Sequence, residues 1–119
     1  MLNLDTHILI DALRGELSKR EKTLLLAHPW SISAIVLWEF SKLAQLKKLE
    51  IDFADPELSQ VLCAIHTWPL TYSICCQIHH LDFKSDPADE IISATSIVHK
   101  VPLLTRDKKI LSSKLVPFI

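Results

Sequence analysis

Short apolar runs alternate with helix-forming stretches along the whole sequence, and the changeovers are marked by capping residues. Residues 2–5, 30–33, 67–70, 101–105 and 115–119 read as strands. Residues 6–13, 16–27, 34–47, 56–66, 72–80, 87–100 and 107–111 read as helices. Asp55-Pro56 and Asp86-Pro87 each place an N-cap acid before a proline at the first helical position, and Ser33 and Thr71 can cap the helices that follow them. Strands this short and apolar, separated by helices, bury both faces only in a parallel sheet covered on each side. The expected fold class is therefore α/β, a central, mostly parallel sheet of four to five short strands with helices on both faces. No linker, repeat or low-complexity segment divides the chain, so residues 1–119 are expected to form a single domain.

Composition narrows the function classes. Apolar residues make up 49% and charged residues 23%, with a net charge of −1. No broad basic surface exists, so contact with nucleic acid must use local patches or bound metal. The one glycine, Gly15, rules out the glycine-rich loops of dinucleotide and P-loop sites. The three cysteines, Cys63, Cys75 and Cys76, are odd in number and lack zinc spacing. They read as buried thiols in a reducing cytoplasm. No apolar run approaches the ~20 residues of a membrane span. Asp5, His7, Asp11 and Arg14 interrupt any signal-peptide layout, so a cytoplasmic location is expected.

One acid stands out. In SAIVLWEFSKL, residues 33–43, Glu39 lies in the most apolar stretch of the chain. At about 100° per residue, Ile35, Val36, Leu43 and Leu46 bracket it on the helix wheel. An unpaired carboxylate is costly there, so it reads as an edge-of-core residue with a partner or as a site carboxylate at the sheet rim. Asp5 ends the first strand and Asp107 follows the fourth. Ligands of open parallel sheets sit beyond the carboxyl ends of the strands, where strand order reverses. Asp89 occupies the first turn after Asp86-Pro87, where the helix dipole also favours an acid. Each of these aspartates has a capping explanation of its own. Together, Asp5, Glu39, Asp89 and Asp107 make an acid-only cluster that a hard cation such as Mg²⁺ or Mn²⁺ would neutralise. That chemistry suits metal-assisted phosphodiester hydrolysis without a Ser or Cys nucleophile.

At these residues the chain resembles the PIN domain, and within it the VapC-type toxins of bacterial toxin–antitoxin pairs. LDTHILIDAL is similar to the family's opening strand and helix, with Asp5 as its first acid. SAIVLWEFSKL resembles the segment carrying its helical Glu, here Glu39. DPADEIISATSIVHKVPLLTRDKKI resembles its C-terminal half, with Asp89 and Asp107 at the remaining acids. The resemblance covers essentially the full length. It implies a PIN-like fold and a Mg²⁺- or Mn²⁺-dependent endoribonuclease, working as a homodimer and neutralised by a small cognate antitoxin. It also implies Asp5, Glu39 and Asp89 as metal ligands, with Asp107 holding the metal or the attacking water. Thr6 and Thr105 would supply nearby hydroxyls, and Asp86 would support or join the ligands. Two features depart from the family pattern, and neither loses an acid. Glu90 occupies a position that is often basic in the family, and the chain is short for the family, ending soon after Pro117.

Arg106 and Lys108 flank Asp107 and are the candidate phosphate contacts. The six histidines read as surface or satisfied core residues, with His7 of interest for following Asp5 and Thr6. Trp30, Trp38 and Trp68 read as core or dimer contacts. The alternative function, motivated by Glu90, is a non-catalytic PIN-like module that binds RNA or protein. DNA cleavage is a lesser option.

Overall fold

The computed structural model describes residues 1–119. In chain order the elements are β1 (Leu2–Leu4), α1 (Thr6–Arg14), α2 (Lys19–Ala27), β2 (Trp30–Ser33), α3 (Ala34–Gln45) and α4 (Pro56–Ala64). Then come β3 (His66–Trp68), α5 (Tyr72–Ile78), α6 (Pro87–His99), β4 (Leu103–Leu104) and α7 (Lys108–Leu111). Gly15 ends α1 at φ +72°, a left-handed conformation that glycine adopts without steric penalty.

The four strands form one sheet in the order β3-β2-β1-β4, with every pair parallel. Successive strand residues point to opposite faces, yet Leu2, Asn3 and Leu4 are all fully buried. Both faces of the sheet centre are therefore covered. The chain steps outward from β1 to β2 to β3, and β4 then returns to the other side of β1. Strand order thus reverses between β1 and β4. Their carboxyl ends lie side by side, joined by the Asp5 amide donating to the Leu104 carbonyl at 3.1 Å.

Leu2, Leu4, Ile8, Leu9, Ile32, Val36, Phe40, Ile92, Leu103 and Ile110 supply the core. Asn3 is buried among them, and its amide nitrogen donates to Ser96 Oγ at 2.9 Å and to the Ile92 carbonyl at 3.3 Å. This side chain ties the middle of the sheet to α6. It sets the height of Asp89, one turn before Ile92.

Several boundaries differ from the sequence reading. The expected strand at 115–119 is reduced to one parallel bridge, Leu103 to Phe118. Pro117 has no amide to donate, and Ser113 Oγ takes the Leu115 and Val116 amides into a turn. Residues 101 and 102 leave the strand because the Val101 amide caps α6 at Ser96 and Pro102 has none. The third strand starts one residue earlier than expected, at His66, and Pro69 follows its end. Helix α2 begins at Lys19, not residue 16, because Ser18 and Glu21 form a reciprocal capping box. The cysteines are the clearest correction: Cys63, Cys75 and Cys76 are all exposed. Helices α4 and α5 bury Leu58, Leu62 and Ile74 and turn their cysteines outward. No helix is long and apolar enough to cross a membrane.

Candidate active site

Asp5 sits at the end of β1 and caps α1. Its Oδ1 accepts from the Thr6 amide at 2.8 Å, and its Oδ2 accepts from Thr105 Oγ1 at 2.6 Å. Thr105 Oγ1 in turn accepts from the Asp107 amide at 3.0 Å, so one hydroxyl fixes both strand-end acids. Asp107 caps α7: its Oδ1 takes the Lys109 and Ile110 amides, and its Oδ2 has no protein donor. The capping explanation for Asp107 is therefore correct and leaves half of the carboxylate available.

Glu39 is half-buried on α3 and accepts from Thr6 Oγ1. Asp89 is half-buried on α6 and accepts from Ser85 Oγ at 2.8 Å. Asp5, Glu39 and Asp89 are thus each oriented by a hydroxyl, from Thr105, Thr6 and Ser85. Asp86 is exposed, and its side chain makes no cap hydrogen bond although Pro87 follows it. Glu90 is half-buried, its Oε2 accepting from the Ser85 amide at 3.4 Å. It closes the turn before Asp89.

These acids feel one another. Burial raises the Glu39 carboxyl above its ordinary value; the Thr6 hydroxyl opposes this, the Asp89 and Asp5 charges add to it, and His7 opposes it. Burial also raises Asp89, opposed by Ser85 and reinforced by Asp5, Asp107 and Asp86. Asp5, Glu39, Asp89 and Asp107 therefore share one electrostatic neighbourhood at the strand-order reversal. They do not close into a cage, and no three His, Cys, Asp or Glu side chains stand at ion-holding geometry. None of the four pairs with Lys or Arg, since the ion pairs of the molecule are Arg14–Glu16 and those of Arg106. Oxygen donors that repel one another and lack a Lys or Arg partner suit a hard divalent cation.

An open recess of about 280 Å³ is lined by Asp5, His7, Asp11, Arg106 and Asp107, without an apolar side chain. Arg106 does not stand free in it. Its Nε and Nη2 donate to Glu21 Oε2 and Oε1 at 2.8 and 2.7 Å, and Nη1 donates to Asp11 Oδ2. The Arg106 guanidinium holds Glu21 down to about 2. Lys108 is exposed and forms no ion pair.

Sequence reading missed Ser85, Asp11 and Glu21. Glu21 carries a signal in the S-x-x-E capping pattern of residues 18–21, which lies inside the helix expected over 16–27. Ser85 lies four residues before Asp89, and Asp11 carries no local signal. Of the tryptophans, Trp30 packs on the core and donates to the Leu25 carbonyl, whereas Trp38 is exposed on α3. Trp68 stacks on His99, whose buried Nε2 lacks a partner, an exception to the satisfied histidines expected.

Comparison by sequence with curated proteins finds no match. Among solved structures, the chain is similar to a toxin–antitoxin complex from Klebsiella pneumoniae, with 26% identity, a TM-score of 0.73, and coverage of 94% of this chain and 91% of that one. It is also similar in fold to VapBC2 from Rickettsia felis, solved with a DNA fragment from its promoter, at 17% identity and TM-score 0.76, covering 100% and 98% of the two chains. FitAcB from Neisseria gonorrhoeae shares the fold at 20% identity and TM-score 0.67, covering 100% and 97%. A family model described as "PIN domain" matches residues 3–113. With that match over a four-stranded parallel sheet flanked by helices, the chain belongs to the PIN domain family.

Proposed function

We propose that this chain is a metal-dependent endoribonuclease, a hydrolase of RNA phosphodiester bonds, and the toxin of a type II toxin–antitoxin pair. The observation that carries the reading is the group of acids without Lys or Arg partners at the reversal of strand order. The similarity to toxin–antitoxin complexes supports the biological setting. On this reading residues 1–119 act as one domain in the cytoplasm, pair as a homodimer and are silenced by a small cognate antitoxin.

Asp5, Glu39, Asp89 and Asp107 would hold Mg²⁺ or Mn²⁺. When bound, the cation supplies positive charge for the phosphate and acidifies the attacking water. The chain's own residues do the rest. Thr105 fixes Asp5 and the start of the Asp107 turn, Thr6 aims Glu39, and Ser85 aims Asp89. The free Oδ2 of Asp107 faces no competing protein donor and can orient a water or share in holding the cation. Exposed Asp86 adds negative charge beside Asp89 and can join the set. Lys108 can meet the RNA backbone.

The test is RNA cleavage with Mn²⁺ or Mg²⁺ by the wild type and by Asp5→Asn, with a DNA substrate in parallel. The wild type should cut RNA only with metal, and the folded variant should not. Mn²⁺ should also raise the thermal midpoint of the wild type, since a ligand bound only by the native state stabilises it. Metal-dependent cleavage retained in full by Asp5→Asn would refute the mechanism. A wild type that binds RNA but never cuts it would favour the non-catalytic module.

A further inference from the structure

We propose that Arg106, clamped by Glu21 and Asp11, is a positioning residue that holds Asp107 in the site and is not a contact for RNA. The inference rests on the nuclease reading for its consequence and on geometry for its content. Arg106 lies between Thr105 and Asp107. In extended chain, neighbouring side chains point opposite ways. The Thr105 hydroxyl goes inward to Asp5, and the Arg106 guanidinium goes outward to α1 and α2. The turn that carries Asp107 is therefore held on both sides.

The outward grip is the more demanding of the two. Glu21 is 6% exposed, and its Oε1 also accepts from the Ser18 amide at the head of α2. Both Glu21 oxygens meet the guanidinium in a two-point fork, which fixes direction as well as distance. Asp11, from α1, takes the remaining terminal nitrogen. Turning the guanidinium toward a phosphate would leave a buried carboxylate without its counter-charge. Asp11 also lines the recess beside Asp5 and Asp107, so Arg106 neutralises the neighbouring acid and leaves the four proposed ligands for the metal. Lys108 and Lys109, with no ion pair, remain the free cations of this turn.

The experiment uses the full chain with Arg106→Gln, Glu21→Gln, the double variant, and Asp11→Asn, which spares the capping box. Three measurements are made: Mn²⁺ affinity by calorimetry, the kinetics of RNA cleavage for kcat and KM, and hydrogen exchange of the Lys109 and Ile110 amides, whose acceptor is Asp107. Arg106→Gln and Glu21→Gln should each weaken Mn²⁺ binding and lower kcat about 10- to 100-fold, with KM unchanged. The double variant should be no worse than either single one, because both cut the same link. Asp11→Asn should move every readout the same way by less, and decides the matter if Glu21→Gln fails to fold. Exchange at the two amides should accelerate in the variants. A raised KM in Arg106→Gln, with Mn²⁺ affinity unchanged and Glu21→Gln fully active, would make Arg106 an RNA contact and overturn the proposal. If the wild type takes no Mn²⁺ or cuts no RNA, the nuclease reading falls, and amide exchange alone then judges the clamp: wild-type rates in Arg106→Gln would overturn it.

Discussion

At the scale of single residues, the acids of the rim strain the metal-free fold. The Glu39 and Asp89 carboxyls are both raised, first by burial and then by neighbouring charge. A carboxyl raised on folding holds its proton more tightly in the native state. Its contribution to stability is present below the unfolded value and is lost as pH rises through the folded value. At neutral pH, without metal, both groups therefore destabilise the fold. Glu39→Gln and Asp89→Asn remove the charge and keep an oxygen to accept from Thr6 and Ser85. Each should stabilise the metal-free protein at neutral pH by about 0.5–2 kcal/mol, the usual gain where function opposes stability. Thermal melts without metal read this directly, and a lowered midpoint in both variants would count against strain among the acids. The same variants should respond less to Mn²⁺.

At the scale of elements, two identical sequence signals turn out to differ. Asp55-Pro56 and Asp86-Pro87 both read as a cap followed by proline. The Asp55 side chain accepts from the Glu57 amide at 3.1 Å, whereas the Asp86 side chain caps nothing. Asp55→Ala should therefore cost about 1 kcal/mol, as cap removals do, and Asp86→Ala should be nearly neutral for denaturant stability. Equal losses would mean that Asp86 caps in solution. The comparison also shows what was legible. Helix starts other than that of α2 were readable because caps act over two or three residues. The strand ends that carry Asp5 and Thr105 were readable because short apolar runs and their breakers are local, and the rim position of the acids followed from the parallel sheet. The use of a given oxygen was not readable, because it depends on side-chain rotation. Nor was the outward turn of Cys63, Cys75 and Cys76, since a helix with one buried stripe does not say which way its small residues face. The Arg106 clamp lay further out of reach, because its partners are 85 and 95 residues away in sequence.

At the scale of the whole molecule, these groups pull stability in opposite directions along the pH axis. Glu21 is lowered from 4.5 to about 2, first by its hydrogen bonds to Arg106. A lowered carboxyl stabilises the fold above its unfolded value and loses that contribution as pH falls through the folded one. Asp82, lowered by the Ser113 hydroxyl and the Lys114 amide, acts in the same sense and ties the segment before α6 to the C-terminal turn. Glu39 and Asp89 act in the opposite sense and at higher pH. Lowering pH from neutrality should therefore first protonate the rim acids and stabilise the metal-free protein. Further acidification should then break the Arg106–Glu21 pair and destabilise it. The thermal midpoint without metal should pass through a maximum at mildly acidic pH. Mn²⁺ needs the rim acids ionised, so it should lift the neutral side of the curve most and move the maximum upward. Glu21→Gln should flatten the acid limb and leave the neutral limb in place. Melts across the pH range, with and without Mn²⁺, separate the two sets of acids: a metal-free midpoint that climbs steadily from acid to neutral pH would mean that the rim carboxylates do not strain the fold, and with that the physical reason for a cation there would be gone.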